Sequence, residues 1–388
     1  MCSKSFILYF LRMLIRILEF IDKYIFGSAC LLLFWVKYIP LNIKNPRKVL
    51  VIRLWALWSS LIIFPMVKQL KEFYGNNVEI DLLATSRNIW VFKNQWYFKN
   101  SYNLFKLKDF LRIIFSFKKY DIVIDTEEYF RISALLSAWI GKISIWFWEI
   151  FSRKICYNFA VRYSYQHQVI ECLRLLVPLW IKYKVPKNLE PLKYTDNEKN
   201  KVNKFLEKFD WKIKICMHIA WSENSPDRFW SILKWKKLIE KLIDIYGDNV
   251  IIFLSWTSFE KKRVKNLLSI LNDKYKKQIV SLVNKFNLFE FAYFLEKCNL
   301  MVSNDTWPMH LAAAMGTKTI WLFWPSLPIF FWAWPLDKNV NIYKWSWKNY
   351  MKMMEWKLEI DREKNIEKIE VEDVLKEIEK IIWSWTKT

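Results

Sequence analysis

Three segments of the chain hold residues that could act on a ligand, and each directly follows a short β-branched run. The first is Arg53-Leu-Trp-Ala-Leu-Trp-Ser-Ser60, ahead of the apolar stretch Leu61 to Leu70. The second is His218-Ile-Ala-Trp-Ser-Glu-Asn-Ser-Pro-Asp-Arg228, and the third is Ser303-Asn-Asp-Thr-Trp-Pro-Met-His-Leu-Ala-Ala-Ala-Met-Gly316. Open parallel sheets bind ligands at the carboxyl ends of their strands, so binding and catalysis belong in these loops. Metal chemistry is a poor fit. The cysteines at 2, 30, 156, 172, 216 and 298 form no CxxC pair and have no zinc-like spacing to His167, His218 or His310, which also argues against a disulfide framework. His167 and His218 have no partner visible in the sequence and read as structural.

The elements that must position these loops alternate in type. Runs at 48–53, 78–83 and 121–125 read as strands separated by helices, and after the polar, proline-containing segment 184–200 the pattern restarts at 212–218, 249–255, 278–283, 299–303 and 317–323. Strands separated by helices imply parallel βαβ units, hence an α/β chain with two doubly wound, Rossmann-like domains. The expected division is 46–188 and 212–350, with a linker at 189–211 and a helical segment at 351–388. In that last segment Ile366, Ile369, Leu375, Ile378 and Ile382 lie roughly on one face of a charged helix. Residues 1–45 differ from the rest. Phe6, Leu8, Leu11, Leu14, Ile15 and Leu18 recur at helical spacing with Arg12 and Arg16 between them, the pattern of a basic amphipathic helix. The apolar run Ile25 to Val36 is shorter than the roughly 20 residues that span a bilayer. Interfacial attachment is expected, with a buried helical hairpin as the alternative.

The formal charge is +23, from 61 Lys+Arg against 38 Asp+Glu. A basic excess suits nucleic acid, an anionic membrane or phosphorylated substrates. The lysines are spread along the whole chain without a recognised nucleic-acid motif, so no nucleic-acid partner is expected. One pair of counts is unusual: 5 Gly and 24 Trp in 388 residues, where glycine normally makes up about 7%. The two together approach an ordinary glycine content, as they would if many Trp positions belonged to glycine.

The motifs bear on that directly. The third segment resembles the N-D-T-G-P-M-H-L-A-A-A-x-G-T motif of glycosyltransferase family 9, the ADP-heptose:lipopolysaccharide heptosyltransferases, with Trp307 at the glycine. Leu322-Phe-Trp-Pro325 resembles the family's L-F-G-P, and the first segment resembles R-L-G-A-L-G-D with Trp55 and Trp58 at both glycines. The likeness runs from about Arg47 to Lys344. A turn that lets backbone N–H groups approach a diphosphate needs left-handed conformations or close backbone approach, and an indole would fill the ligand's space. Two readings explain the substitutions: a degenerate homologue rich in true tryptophan, or, as preferred here, UGA codons that the source organism reads as glycine. Some Trp are genuine under either reading; Trp235 falls where the family itself favours Trp.

The resemblance implies a GT-B architecture and an inverting, metal-independent and cofactor-independent transfer of a heptose-like sugar. The donor is an ADP-sugar held mainly by the second domain, and the acceptor is a lipid-linked saccharide of lipopolysaccharide or another cell-envelope glycan. It places Arg228 as a phosphate clamp, with Ser222 and Thr306 as hydroxyl donors and Asp305 facing the sugar. Trp307, Pro308, Met309 and His310 open the helix whose N-terminus receives the anion; His310 is expected to orient the loop or pack. For Asp305 and Thr306 helix capping is the plain alternative, and for Arg228 a solvated charge. The family's usual base is the Asp after the second glycine of the first segment, and Ser59 stands there. Serine cannot serve as a general base at neutral pH, which leaves Asp125, Glu127 and Glu128 as replacements or makes the protein a non-catalytic nucleotide-sugar or lipid binder. The implied location is cytoplasmic, peripheral on the inner face of the cytoplasmic membrane and bound to its anionic surface. Peptide mass spectrometry of the natural protein is expected to find glycine at positions 55, 58, 221, 307 and 324; tryptophan at 307 would refute the codon reading.

Overall fold

The structure is a computed structural model that describes residues 20–32, 45–54, 58–128, 130–148, 151–219, 229–255, 261–323, 331–344 and 365–385. The chain divides into two compact units, Met1–Val185 and Pro186–Thr388, each built on a six-stranded parallel sheet.

In the first unit the strands are β1 (Lys48–Ile52), β2 (Glu79–Ala84), β3 (Asn100–Asn103), β4 (Tyr120–Asp125), β5 (Gly141–Trp148) and β6 (Phe159–Arg162). They lie in the order β3-β2-β1-β4-β5-β6, every neighbouring pair parallel. β1 and β4 are buried on both faces, and so Val49–Ile52 and Ile122–Ile124 read as continuous apolar runs. β3, β5 and β6 carry weaker signals and are not evident in the sequence. Asn-Ser-Tyr-Asn in β3 has no β-branched residue, and β5 begins where the helix Arg131–Ile140 ends, with no intervening loop. Gly141 makes that junction possible, because a Cβ there would lie 2.6 Å from Val123 Cγ2.

The second unit arranges β7 (Ile213–His218), β8 (Val250–Ser255), β9 (Ile279–Ser281), β10 (Leu300–Asn304), β11 (Lys318–Leu322) and β12 (Val340–Ile342) in the order β12-β11-β10-β7-β8-β9. Its helix Ile232–Tyr246 starts at Ser231, whose side chain accepts from Leu233 N at 3.2 Å. That helix buries Trp235, Leu238, Ile239, Leu242 and Ile243. The C-terminal helix Val371–Trp385 adds Val374, Ile378, Ile381 and Ile382 to the same core, and Trp230 Nε1 donates to Ile369 O at 2.8 Å.

Residues 189–211, expected as a linker, contain the helix Asp196–Leu206, started by a Thr195/Glu198 capping box. It buries Val202 and Leu206 and packs on Leu288–Glu296, with Lys201 paired to Glu290 at 2.7 Å. Its charged and polar composition hides this role in the sequence, because only two positions face the core.

Of the N-terminal segment, residues 1–19 and 33–44, with Arg12 and Arg16, lie outside the described residues. The described part, a π-helix Ile21–Phe26 running into Gly27–Leu32, packs on Arg131–Ile140. Asp22 caps that helix, accepting from Arg131 N at 2.8 Å and Ile132 N at 3.0 Å. Among the described residues no helix is long and apolar enough to cross a membrane. Trp180 is 94% exposed and sits at φ +60°, a left-handed conformation that glycine adopts without strain.

Candidate active site

In a doubly wound sheet the ligand crevice opens where successive connections leave in opposite directions. In the first unit this switch point falls between β1 and β4, where Ile52 is in register with Asp125. The two strand ends deliver Arg53, Thr126 and Glu127, all nearly inaccessible to solvent. Arg53 joins them. Its Nε donates to Ser59 Oγ at 3.1 Å and lies 3.8 Å from Glu127 Oε1, while Nη1 donates to the Thr126 carbonyl. Glu127 Oε1 also accepts from Leu54 N at 2.6 Å, and Trp146 Nε1 donates to Glu127 O at 2.5 Å. Ser59 and Glu127, far apart in the sequence, are thus brought to one guanidinium.

Asp125 has a different setting. It is fully buried, with Oδ1 accepting from Glu127 N at 2.9 Å and Oδ2 accepting from Arg153 Nη2 at 3.0 Å and from Tyr157 Oη at 2.5 Å. Arg153, also fully buried, donates to Ser133 Oγ at 3.1 Å and lies 4.1 Å from the centre of the Trp146 ring. Burial raises the Tyr157 phenol well above its ordinary value, so it stays a donor to the carboxylate. With three donors on its two oxygens, Asp125 fixes the turn that carries Glu127. Glu128, the next residue, is half-buried. Sequence reasoning missed Arg153 and Tyr157; they lie in a segment without strand or motif character, and only the fold brings them beneath β4.

In the second unit the switch point lies between β7 and β10, where Ser303 is in register with His218. Beyond it come Asn304 and Asp305, both buried, and Thr306, the backbone N-cap of the helix Trp307–Ala314. The Thr306 side chain does not cap that helix. Its hydroxyl lies 3.0 Å from Ser303 Oγ and donates to Asn304 O at 3.3 Å, which holds the turn closed. Trp307 occupies the first helical position with its ring edge toward Phe291 at 6.3 Å. The backbone there is helical, so any need for glycine comes from space at the helix end. Pro308 is buried in the first turn, where a missing N–H has no cost. Met309 packs in an apolar cluster with Trp321, Phe323 and Ala333, and the His310 ring meets Trp321 edge-on at 4.9 Å. His218 Nδ1 lies 3.1 Å from Ser255 O. Burial pushes the Cys216 thiol in β7 up to about 12, which keeps it neutral. Ser222 and Arg228 lie outside the described residues.

These two switch-point sites on paired parallel sheets are what a nucleotide-sugar transferase of GT-B type requires. Residues 114–359 match the family model of glycosyltransferase family 9 (heptosyltransferase), and the chain belongs to this family: it is a glycosyltransferase. It is 26% identical over 303 residues to lipopolysaccharide heptosyltransferase 1 of Campylobacter coli, covering 71% of this chain and 83% of that protein. The fold resembles the family 9 glycosyl transferase structure from Veillonella parvula, with TM-score 0.74, 16% identity and coverage of 89% of this chain and 99% of that one. It also resembles the E. coli heptosyltransferase WaaC with ADP, with TM-score 0.62, 18% identity and coverage of 86% and 99%.

The Asp125–Arg153–Tyr157 cluster predicts a structural phenotype. Asp125→Asn leaves the guanidinium buried without its partner charge and is expected to cost about 3–5 kcal/mol. Urea unfolding checks this; a loss below about 1 kcal/mol would show that the cluster does not hold the β4 turn.

Proposed function

We propose that the protein transfers a heptose-like sugar from an ADP-sugar to a hydroxyl of a lipid-linked saccharide during lipopolysaccharide or related cell-envelope glycan synthesis. The observation that carries this reading is the turn from Asn304 to Trp307 at the second unit's switch point, where a closed, polar strand end leads into a helix N-terminus. Such an end favours an anion through its dipole and backbone N–H groups. In this reading Asp305 accepts from donor-sugar hydroxyls and Thr306 contacts the diphosphate. Ser222 and Arg228 take hydroxyl and charge contacts on the same phosphates by their position in the second motif. Glycine at 55, 58, 221, 307 and 324 belongs to this reading, since it leaves space for the diphosphate and the acceptor.

For the base we propose Glu127. Arg53 links it to Ser59, so its carboxylate reaches the region that the family's aspartate serves. It takes the proton of the acceptor hydroxyl as that oxygen bonds to the anomeric carbon. The bond from this carbon to the diphosphate breaks on the opposite face, and ADP leaves with its charge stabilised by Arg228 and the helix end. Membrane attachment through residues 1–45, on the cytoplasmic face, would bring the enzyme to such an acceptor. The Ser59 substitution favours one other reading, a binding protein without turnover.

Two measurements test the assignment on the protein with glycine at the motif positions. Glu127→Gln keeps an acceptor for Leu54 N and should lower turnover by about 10²–10⁴ with ADP affinity nearly unchanged. Glu128→Gln, at a half-buried position, should leave turnover within about threefold, less than about 0.7 kcal/mol of barrier. Full activity of Glu127→Gln refutes the base, and no activity in the unmutated protein supports the binding-only reading. Arg228→Ala should weaken ADP binding by about 1.5–3 kcal/mol; unchanged affinity by calorimetry removes the phosphate-clamp role.

A further inference from the structure

A second surface of the first unit has the composition of a lipid-facing element. Between β3 and β4, the helix Leu107–Ile114 buries Ile113 in the core and turns Leu107, Leu111 and the following Phe115 outward, at 72%, 42% and 82% exposure. Their spacing of four residues places them along one stripe. Phe105 before the helix and Phe117 after it are also exposed. Single exposed apolar residues are ordinary, whereas five within 13 consecutive positions form a patch that marks an interaction site.

The patch is rigidly held. Trp139 Nε1 donates to Ile114 O at 2.7 Å, satisfying a carbonyl of the last helical turn, and its ring lies 4.6 Å from that of Phe117. Lys118 Nζ donates to Ala138 O at 2.9 Å and Gly141 O at 2.8 Å. The turn that displays Phe115 and Phe117 is therefore tied to the neighbouring helix Arg131–Ile140, where a flexible turn could fold its rings inward.

Charge selects the occupant. Lys106, Lys108, Arg112 and Lys119 are exposed around the stripe, and no carboxylate among the described residues pairs with them. The segment's acid, Asp109, is turned inward, accepting from Asn103 N at 3.0 Å. Exposed aromatic and aliphatic side chains interspersed with cations that have no carboxylate partner, Arg112 lying over the Tyr102 ring at 5.9 Å, match an anionic bilayer surface, where rings enter the headgroup boundary and cations meet lipid phosphates. The helix begins just past the carboxyl end of β3, the same sheet edge on which Arg53 and Glu127 lie. The described N-terminal segment, which also packs on Arg131–Ile140, likewise exposes Phe20, Tyr24 and Ile25 beside Lys23.

We infer that Phe105, Leu107, Leu111, Phe115 and Phe117, with Lys106, Lys108, Arg112 and Lys119, form a membrane-docking face that seats the first unit on anionic lipid independently of residues 1–19. This face runs along the side of the first unit, from Leu107 near the carboxyl edge of the sheet to Phe115 and Phe117 near its amino edge, and holds the unit against the surface that carries a lipid-linked acceptor. The inference goes beyond the proposed function, resting on that reading only for the purpose of docking.

The test uses the full chain and co-sedimentation with vesicles of phosphatidylcholine alone or mixed with phosphatidylglycerol. The unmutated protein should bind the mixed vesicles and lose binding as salt rises. Lys108→Glu/Arg112→Glu should weaken binding to the mixed vesicles by about tenfold or more, given roughly 1 kcal/mol per surface cation. Leu107→Ser/Phe115→Ser should weaken it comparably while leaving the thermal transition unchanged, since these side chains are solvent-exposed. Unchanged partitioning in both variants overturns the proposal. A dimer of the unmutated protein that Leu107→Ser/Phe115→Ser dissociates without loss of vesicle binding also overturns it, in favour of self-association. ADP binding, measured in parallel, is expected to be equal in all three proteins. Absence of ADP binding throughout would count against the donor reading while the vesicle data still decide the docking face.

Discussion

The handedness of the parallel crossover is the constraint on which the rest of this structure depends. A strand, helix and parallel strand connect almost always in the right-handed sense. A sheet that grows first to one side of its opening strand and then to the other must therefore place its helices on opposite faces and leave a crevice between. Both sheets here do this, with β1 beside β4 and β7 beside β10. Every polar group to which a role in the reaction is assigned from the described residues is at one of those two places or in the turn just beyond it.

The polar interior of the first unit follows from that placement. Loops at a switch point must be firm enough to hold ligand geometry, yet their carboxyl ends carry few ladder partners. Here Asp125, Arg153 and Tyr157 supply the missing rigidity, with Trp146 lying against the guanidinium and bonded to the carbonyl of Glu127. A buried ion pair is a weak source of net stability, because desolvation opposes the attraction, but removing one member is costly. That asymmetry suits a device whose purpose is to hold one conformation. The second unit uses neutral groups for the same end, joining Ser303, Asn304 and Thr306 through hydroxyl and carbonyl contacts.

The tryptophan positions of this protein fall into three sets. Trp146, Trp230 and Trp235 fill cores, and two of them place the indole N–H on a backbone carbonyl, the usual condition for burying that side chain. Trp180, Trp211 and Trp383 are exposed by more than half and gain little from their size. The motif positions 55, 58, 221, 307 and 324 are a third set, at which the motifs of the family it resembles have glycine. The count of 24 Trp in the chain is best understood residue by residue along these lines.

By itself the sequence determined the α/β class, eight of the strands and the family resemblance, and it singled out the three loops proposed to carry chemistry. All of these depend on local periodicity or on contiguous motifs, which survive in one dimension. It did not show β3, β5, β6 or β12, which are short or polar or abut a helix, and it presented the helix Asp196–Leu206 as a linker because only two of its side chains face inward. Only the tertiary structure distinguished the settings of the carboxylates: Asp125, Glu127 and Glu128 are nearly adjacent in the chain, and the differing settings of Asp125 and Glu127 come from partners distant in sequence, Arg53, Leu54, Arg153 and Tyr157. It likewise decided that Met309 and His310 pack against Trp321 and its neighbours. The physical reason is the same in each case. A side chain's type is set by the sequence, but its burial, charge partners and direction are set by segments that the fold brings from elsewhere.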